Sequence, residues 1–213
     1  MYTLHYWPDS ASLIVRLVLE ELALPHELRL IDRAAGALNS AAYRALNPLG
    51  QIPALETPDG PMFETAAILL YLCDRHGALV PAPDSPARAA FLKWLFYTSS
   101  NIHPVLLQLF YPERTAGPEH AGAVLAHARV RMAELLGVLE AMVARDHPAF
   151  LSDSAPTALG YYLAVLLRWM AADFPVQTYP ALQRVLRYLE TRPATTKAAA
   201  AEALGPTPFT QPN

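Results

Sequence analysis

Residues 47–65 read Asn-Pro-Leu-Gly-Gln-Ile-Pro-Ala-Leu-Glu-Thr-Pro-Asp-Gly-Pro-Met-Phe-Glu-Thr. Ile52-Pro53 precedes a short apolar run, Ala54-Leu55-Glu56, that reads as a strand. Proline gives no ladder donor, so it fits the first residue of a strand or an edge. X-Pro bonds tolerate the cis form, so a cis turn at Ile52-Pro53 is available and would turn the Ile52 backbone outward. Pro58-Asp59-Gly60 is a turn that joins this strand to a second, Pro61-Met62-Phe63. Glu64-Thr65 then opens an apolar helix, whose first amides and dipole favour a carboxylate at Thr65. One short unit thus offers backbone for an extended peptide, an anion site and an acid, Glu64, for an ammonium. That is a site for a small zwitterionic peptide, although an ordinary hairpin followed by a capped helix has the same spacing.

Working towards the N-terminus, residues 2–7 alternate with Tyr2, Leu4 and Tyr6 on one face and predict a strand. Pro8-Asp9-Ser10 breaks it. Residues 11–24 place Leu13, Ile14, Leu17, Val18 and Leu22 at helical spacing, and Pro25 ends that helix. His26–Ile31 predicts a second strand with Leu28 and Leu30 inward, which makes a βαβ unit. A short helix over 40–46 and the β, β, α of the opening stretch complete the order βαβ-α-ββα of a thioredoxin-like domain over 1–79.

Pro81-Ala-Pro-Asp-Ser-Pro86 lies in a Pro-rich linker, 80–86. Beyond it, from 87 to 213, the pattern is helical throughout, so the fold class is α/β followed by all-α. Apolar stripes run over 87–111, 120–146, 157–172 and 178–191, with prolines such as Pro104 ending or kinking them. Ala194–Gly205 reads as a last Ala-rich helix or turn. Pro206–Asn213, with three prolines, reads as a loose or surface-draped tail.

Of the 213 residues, 53% are hydrophobic and 16% charged, which makes a chain with a large core. A net charge of −3 gives no footprint for nucleic acid or an anionic membrane. The absence of a long apolar run or leader pattern predicts a cytoplasmic protein. The single cysteine, Cys73, excludes an internal disulfide.

The stretch NPLGQIPALETPDGPMFETAAILLYL resembles the glutathione-binding segment of cytosolic glutathione S-transferases, with Thr65 where the family pattern has serine. The resemblance extends over nearly the whole chain. It implies glutathione binding by Gln51, Ile52, Pro53, Glu64 and Thr65, with no metal. Asn39 and Arg33 read first as a solvated loop.

By the same resemblance, the first strand-to-helix turn activates the glutathione sulfur. Tyr6-Trp7-Pro8-Asp9-Ser10-Ala11-Ser12 is similar to the turn of serine-type members, which makes Ser10 the candidate donor to the thiolate. It is also similar to the bacterial beta-type turn, in which Ala11 occupies the cysteine position, Ser12 the serine after it and Tyr6 the tyrosine ahead of it. Helix capping is the plain alternative for both serines. Asp9 replaces the usual glycine and would oppose ionisation of a nearby thiol unless it points outward.

The helical domain is expected to supply an electrophile pocket from His103, Tyr97 and Tyr111. Phe110, Tyr111 and Trp169 also read as core. Thr157–Leu163 resembles the family's capping box with Gly160 in place of its acid, so Gly160→Asp is expected to stabilise α-helix 157–172. The implied function is glutathione transfer to a hydrophobic small-molecule electrophile by a homodimer. The alternative is a weakly active or non-catalytic glutathione-binding member. A thiol oxidoreductase is disfavoured because Cys73 lies inside the third helix.

Overall fold

In the computed structural model, which describes residues 1–212, strand alternation places Leu4 and Leu55 at the centre of a four-stranded sheet. β1 (Tyr2–Tyr6) pairs in parallel with β2 (His26–Leu30) and antiparallel with β3 (Ala54–Thr57), and β3 pairs antiparallel with β4 (Gly60–Met62). The order β2-β1-β3-β4 leaves β2 on an edge. Leu30 is accordingly exposed, against expectation, because an edge strand has its neighbour and cover on one side only.

α1 (Ser12–Glu21) and α3 (Thr65–His76) cover one face, burying Leu13, Leu17, Ile68 and Leu69. α1 stops short of Pro25, and Ala23 adopts a left-handed φ of 51° in the turn that follows. On the other face α2 (Ala41–Leu46) seals a small cluster of Ile31, Tyr43 and Ala54. This is a thioredoxin-like domain followed by a helical one.

The predicted helix over 87–111 is three pieces. α4 (Arg88–Tyr97) runs into a π-helical segment, Thr98–Ile102, and then α5 (His103–Phe110). Pro104 has no N–H for the preceding turn, and the hydroxyls of Thr98 and Ser100 bond back to Trp94 and Phe96 carbonyls. Widened turns of this kind re-aim the residues that follow them. α6 (Glu113–Ala116) and the long α7 (Ala121–Asp146) follow. α8 (Ala158–Trp169) is the buried axis of this half, with only Trp169 partly exposed. α9 (Pro180–Glu190) and α10 (Pro193–Glu202) close the bundle.

α1 is the seam between the two halves. Tyr161 donates to Glu21, Arg192 pairs with Glu21, and Arg16 pairs with Glu202 of α10. Burial pushes the Glu202 carboxyl up, an effect opposed by its bonds from the Asp9 amide and Arg16.

The tail is not loose. Phe209 is fully buried, and the backbone amides of Phe209 and Thr210 both donate to Glu190 Oε1. Thr210 Oγ1 donates to the other oxygen of that carboxylate, so one acid satisfies three donors. Of the two expectations, loose or draped over the surface, only the first fails, because an apolar anchor, Phe209, and a half-buried acceptor, Glu190, seat the chain. Asn213 lies outside the described residues.

Gly160 also departs from expectation. Thr157 caps α8 by accepting from the Gly160 N–H at 3.1 Å. A Cβ at residue 160 would lie 3.2 Å from both Leu189 Cδ1 and Thr157 Oγ1, so glycine here permits the close approach of α8 and α9. A carboxylate would be crowded and desolvated there, at a cost exceeding the capping bond it restores. Gly160→Asp is therefore expected to lower the melting temperature by roughly 3–8 °C in a thermal unfolding experiment. A rise would reinstate the capping-box view.

Candidate active site

The turn after β1 is held by two hydroxyls on one carbonyl. Ser10 Oγ donates to the Trp7 carbonyl at 2.7 Å and Ser12 Oγ reaches the same oxygen at 3.1 Å. The two hydroxyls are 2.9 Å apart, and the Trp7 N–H donates to Ser12 Oγ at 3.3 Å. Neither serine is the N-cap of α1, which is Ala11 without a side-chain bond, although Ser10 Oγ accepts from the Ser12 N–H, the first amide of the helix, at 3.4 Å. Ser12 is buried, whereas Ser10 faces a large cleft. Both hydroxyls are engaged with the Trp7 carbonyl, and of the two only Ser10 is on the cleft wall. Tyr6 lies outside the cleft wall, at the end of β1, where its carbonyl accepts from the Ile31 N–H.

The cleft has a volume of about 1330 Å³ and runs between the two halves of the chain. Its thioredoxin-side wall is the 47–65 stretch. Asn47 is buried, and its side chain donates to the Gln51 carbonyl and accepts from the Leu49 N–H. Tyr43 Oη donates to the same Gln51 carbonyl at 2.7 Å. Gly50 sits at φ +65°, and a Cβ there would come within 2.9 Å of the Leu38 carbonyl, so the turn needs glycine. These bonds fix the loop and put Gln51, Ile52 and Pro53 on the cleft wall, with a cis Ile52-Pro53 bond.

Glu64 follows, exposed, at φ 69° and ψ 106°. A non-glycine residue in this region is strained by about 1–3 kcal/mol, held only where its surroundings over-determine it. Thr65 begins α3 beside it, and both residues line the cleft. Arg33 also lines the cleft, 5.6 Å above the Trp7 ring, while Asn39 instead accepts from Arg44.

Asp9 departs most from expectation. Its φ of 48° is the left-handed conformation that glycine usually takes, which explains how it can occupy that position. Its carboxylate does not simply face solvent. Arg168 donates to it through Nε and Nη2, both at 3.0 Å, and Trp169 Nε1 donates at 2.8 Å. The guanidinium cancels the charge that would have opposed a thiolate. In the sequence Trp169 read as core, and neither it nor Arg168 as a partner of Asp9. The available signal was a cation within an almost wholly apolar helix, since a buried charge requires a partner.

On the helical side, His103 lines the cleft and shares a 2.8 Å hydrogen bond between Nδ1 and the Tyr162 hydroxyl. Tyr162 and the tail residues Thr210, Gln211 and Pro212 are further wall residues the sequence did not announce. Tyr111 lines the cleft with the Arg114 guanidinium 3.9 Å above its ring. Phe110, which is exposed, and Trp169, which packs against the core, both reach it as well. Tyr97 does not. It packs towards α7 and donates to the Leu135 carbonyl, so it is withdrawn as a pocket residue. Cys73 is buried, with its thiol pushed up to about 12 by burial, and takes no part. No cluster with metal-binding composition occurs among the described residues.

Burial lowers the His103 pKa to about 4, so the imidazole is neutral at physiological pH. Because the folded value lies below the unfolded one, near 6.5, the unfolded chain gains its proton first on acidification. The stability associated with neutral His103 is present above about pH 6.5 and is lost as the pH falls towards about 4. Denaturant titration across this window is expected to show a decline that His103→Asn flattens. An equally steep decline in the variant would contradict the assignment.

The family model "Glutathione S-transferase, N-terminal domain" matches residues 10–75. Glutathione S-transferase 3 of Zea mays is 32% identical over 218 residues, covering 96% of each chain. GstA of Escherichia coli O157:H7, also a glutathione S-transferase, is 27% identical, over 94% of this chain and 98% of its own. A crystal structure of a Sulfitobacter glutathione transferase homolog with bound glutathione superposes with a TM-score of 0.81. It is 25% identical and covers 94% of this chain and 98% of its own. The chain belongs to the glutathione S-transferase family.

Proposed function

We propose that the cleft binds glutathione along the 47–65 wall and that Ser10 stabilises its thiolate for attack on a hydrophobic electrophile. The observation that carries this reading is that Ser10 lines the same cleft as a strained Glu64 and the start of α3, with a second hydroxyl, Ser12, able to take over its bond to the Trp7 carbonyl. The γ-glutamyl carboxylate sits at the Thr65 amide, where the dipole of a twelve-residue helix favours an anion. Glu64 takes the ammonium. The Ile52 backbone pairs with the peptide, and Gln51 and Arg33 hold its glycyl end.

A free thiol with a pKa of ~8.5–9 is mostly protonated at neutral pH, and the thiolate is the nucleophile. Lowering that value by about two units needs ~2.7 kcal/mol in favour of the charged form. Ser10 supplies a hydroxyl donor by passing the Trp7 carbonyl to Ser12, and the positive end of α1 adds to it. The thiolate then forms a carbon–sulfur bond with an electrophile held against Tyr111, Phe110 and His103, whose neutral ring adds no competing charge. The Arg168–Asp9 pair favours turnover over a binding-only member, because it removes the charge that argued against thiolate formation.

A cytoplasmic homodimer belongs to the same reading. No helix among the described residues is long and apolar enough to cross a membrane. Phe96, Val130 and Val138 are exposed apolar side chains available to a second copy. Sedimentation is expected to give twice the 23.3 kDa chain mass; a single-chain mass would remove the dimer.

The test of catalysis is the thiolate absorbance of bound glutathione titrated with pH. Wild type is expected to ionise about two units below the free thiol. Ser10→Ala should return the titration towards the free value and cut kcat/KM at neutral pH about 10–100-fold. An unshifted wild-type titration would leave a binding member.

A further inference from the structure

We propose that Arg168 is a positioning residue for the transfer reaction, one guanidinium holding both the turn that carries Ser10 and the C-terminal tail that walls the cleft. The inference rests on the reading above. Two of its edges go to Asp9, the residue before Ser10, through Nε and Nη2. Its third, Nη1, donates to the Pro208 carbonyl at 2.9 Å. The Arg168 side chain is 7% exposed and that of Asp9 39%, so the fork is buried on the arginine side and meets water at the carboxylate, and its fixed planar donors are hard to replace.

Each end of this bridge is seated independently. On the turn side, the Asp9 N–H donates to Glu202 Oε2 at 2.8 Å, and Glu202 is itself paired with Arg16. On the tail side, Glu190 takes the amides of Phe209 and Thr210, and Gln177 donates to the Thr210 carbonyl at 2.9 Å. Immediately beyond these anchors, Thr210, Gln211 and Pro212 form part of the cleft wall. Arg168 therefore has two separable jobs. It neutralises the carboxylate next to the sulfur-activating hydroxyl, and it keeps the acceptor side of the cleft closed by the tail.

The other charged or titratable groups on the cleft wall are Glu64 at the start of α3, Arg33 after β2, Tyr111 and Arg114 beyond α5, and the His103–Tyr162 pair. The variants below alter none of them. Off the wall, Glu202 and its partner Arg16 face Asp9 from behind and are also left unaltered, so movement of the thiol titration that Asp9→Asn reverses is attributable to the Asp9–Arg168 pair.

Three variants separate the jobs: Arg168→Gln, Arg168→Lys and the double variant Arg168→Gln with Asp9→Asn. Two readouts are taken on the full chain, the thiolate absorbance of bound glutathione against pH and the rate at which carboxypeptidase trims the tail. Arg168→Gln is expected to raise the thiol pKa by about one unit and to speed trimming at least tenfold. Adding Asp9→Asn should restore the pKa but not the protection. Arg168→Lys keeps the charge and loses the fork, so it should hold the wild-type pKa while the tail is trimmed faster. If Arg168→Gln does not fold, Arg168→Lys carries the test. A wild-type thiol that is not shifted sinks the transfer reading itself. A shifted wild-type thiol with titration and trimming unmoved in the variants leaves Arg168 as a stabilising ion pair only and overturns the proposal.

Discussion

Of the ion pairs joining the two halves of the chain, that of Arg168 with Asp9 is the one at the cleft. A guanidinium at the buried end of α8 is tolerable only with its donors engaged. Asp9 meets that need through a left-handed turn that an L-residue adopts reluctantly. The bond thereby fixes the loop between β1 and α1 against the helical domain. Ser10, the next residue, inherits its position from that contact.

The opposite wall is fixed by different means. Asn47 and Tyr43 both bond the Gln51 carbonyl, Gly50 turns the chain where a side chain would clash, and Glu64 holds a strained backbone at the mouth of α3. None of these devices needs the helical domain. The 47–65 wall is thus built locally, within about twenty residues, whereas the turn that carries Ser10 is held by long-range contacts. Local devices of this kind can persist while the acceptor wall, assembled from α5, α6, α8 and the tail, is free to change chemistry.

That division also sets how much was legible in the sequence. The strands announced themselves by alternation, the hairpin by Pro58-Asp59-Gly60, and the 47–65 cleft wall by residues close together in the chain. Leu30 misled because periodicity cannot tell an edge strand from a central one. Pro104 signalled a break but not the π-helical turn that aims His103 into the cleft. The tail was misread because its prolines are local, while Glu190 and the pocket for Phe209 are not. Asp9 looked like a liability for the same reason. Its partner lies 159 residues away, and only the fold brings them together.

The central claim is that the glutathione sulfur is held at Ser10, opposite the acceptor wall. A crystal structure with glutathione bound tests it most directly. The account predicts the sulfur within ~3.0–3.5 Å of Ser10 Oγ, with the Ser10 hydroxyl released from the Trp7 carbonyl and Ser12 still bonded to it. A sulfur lying against His103 or Tyr111, with Ser10 still donating to Trp7, would contradict it.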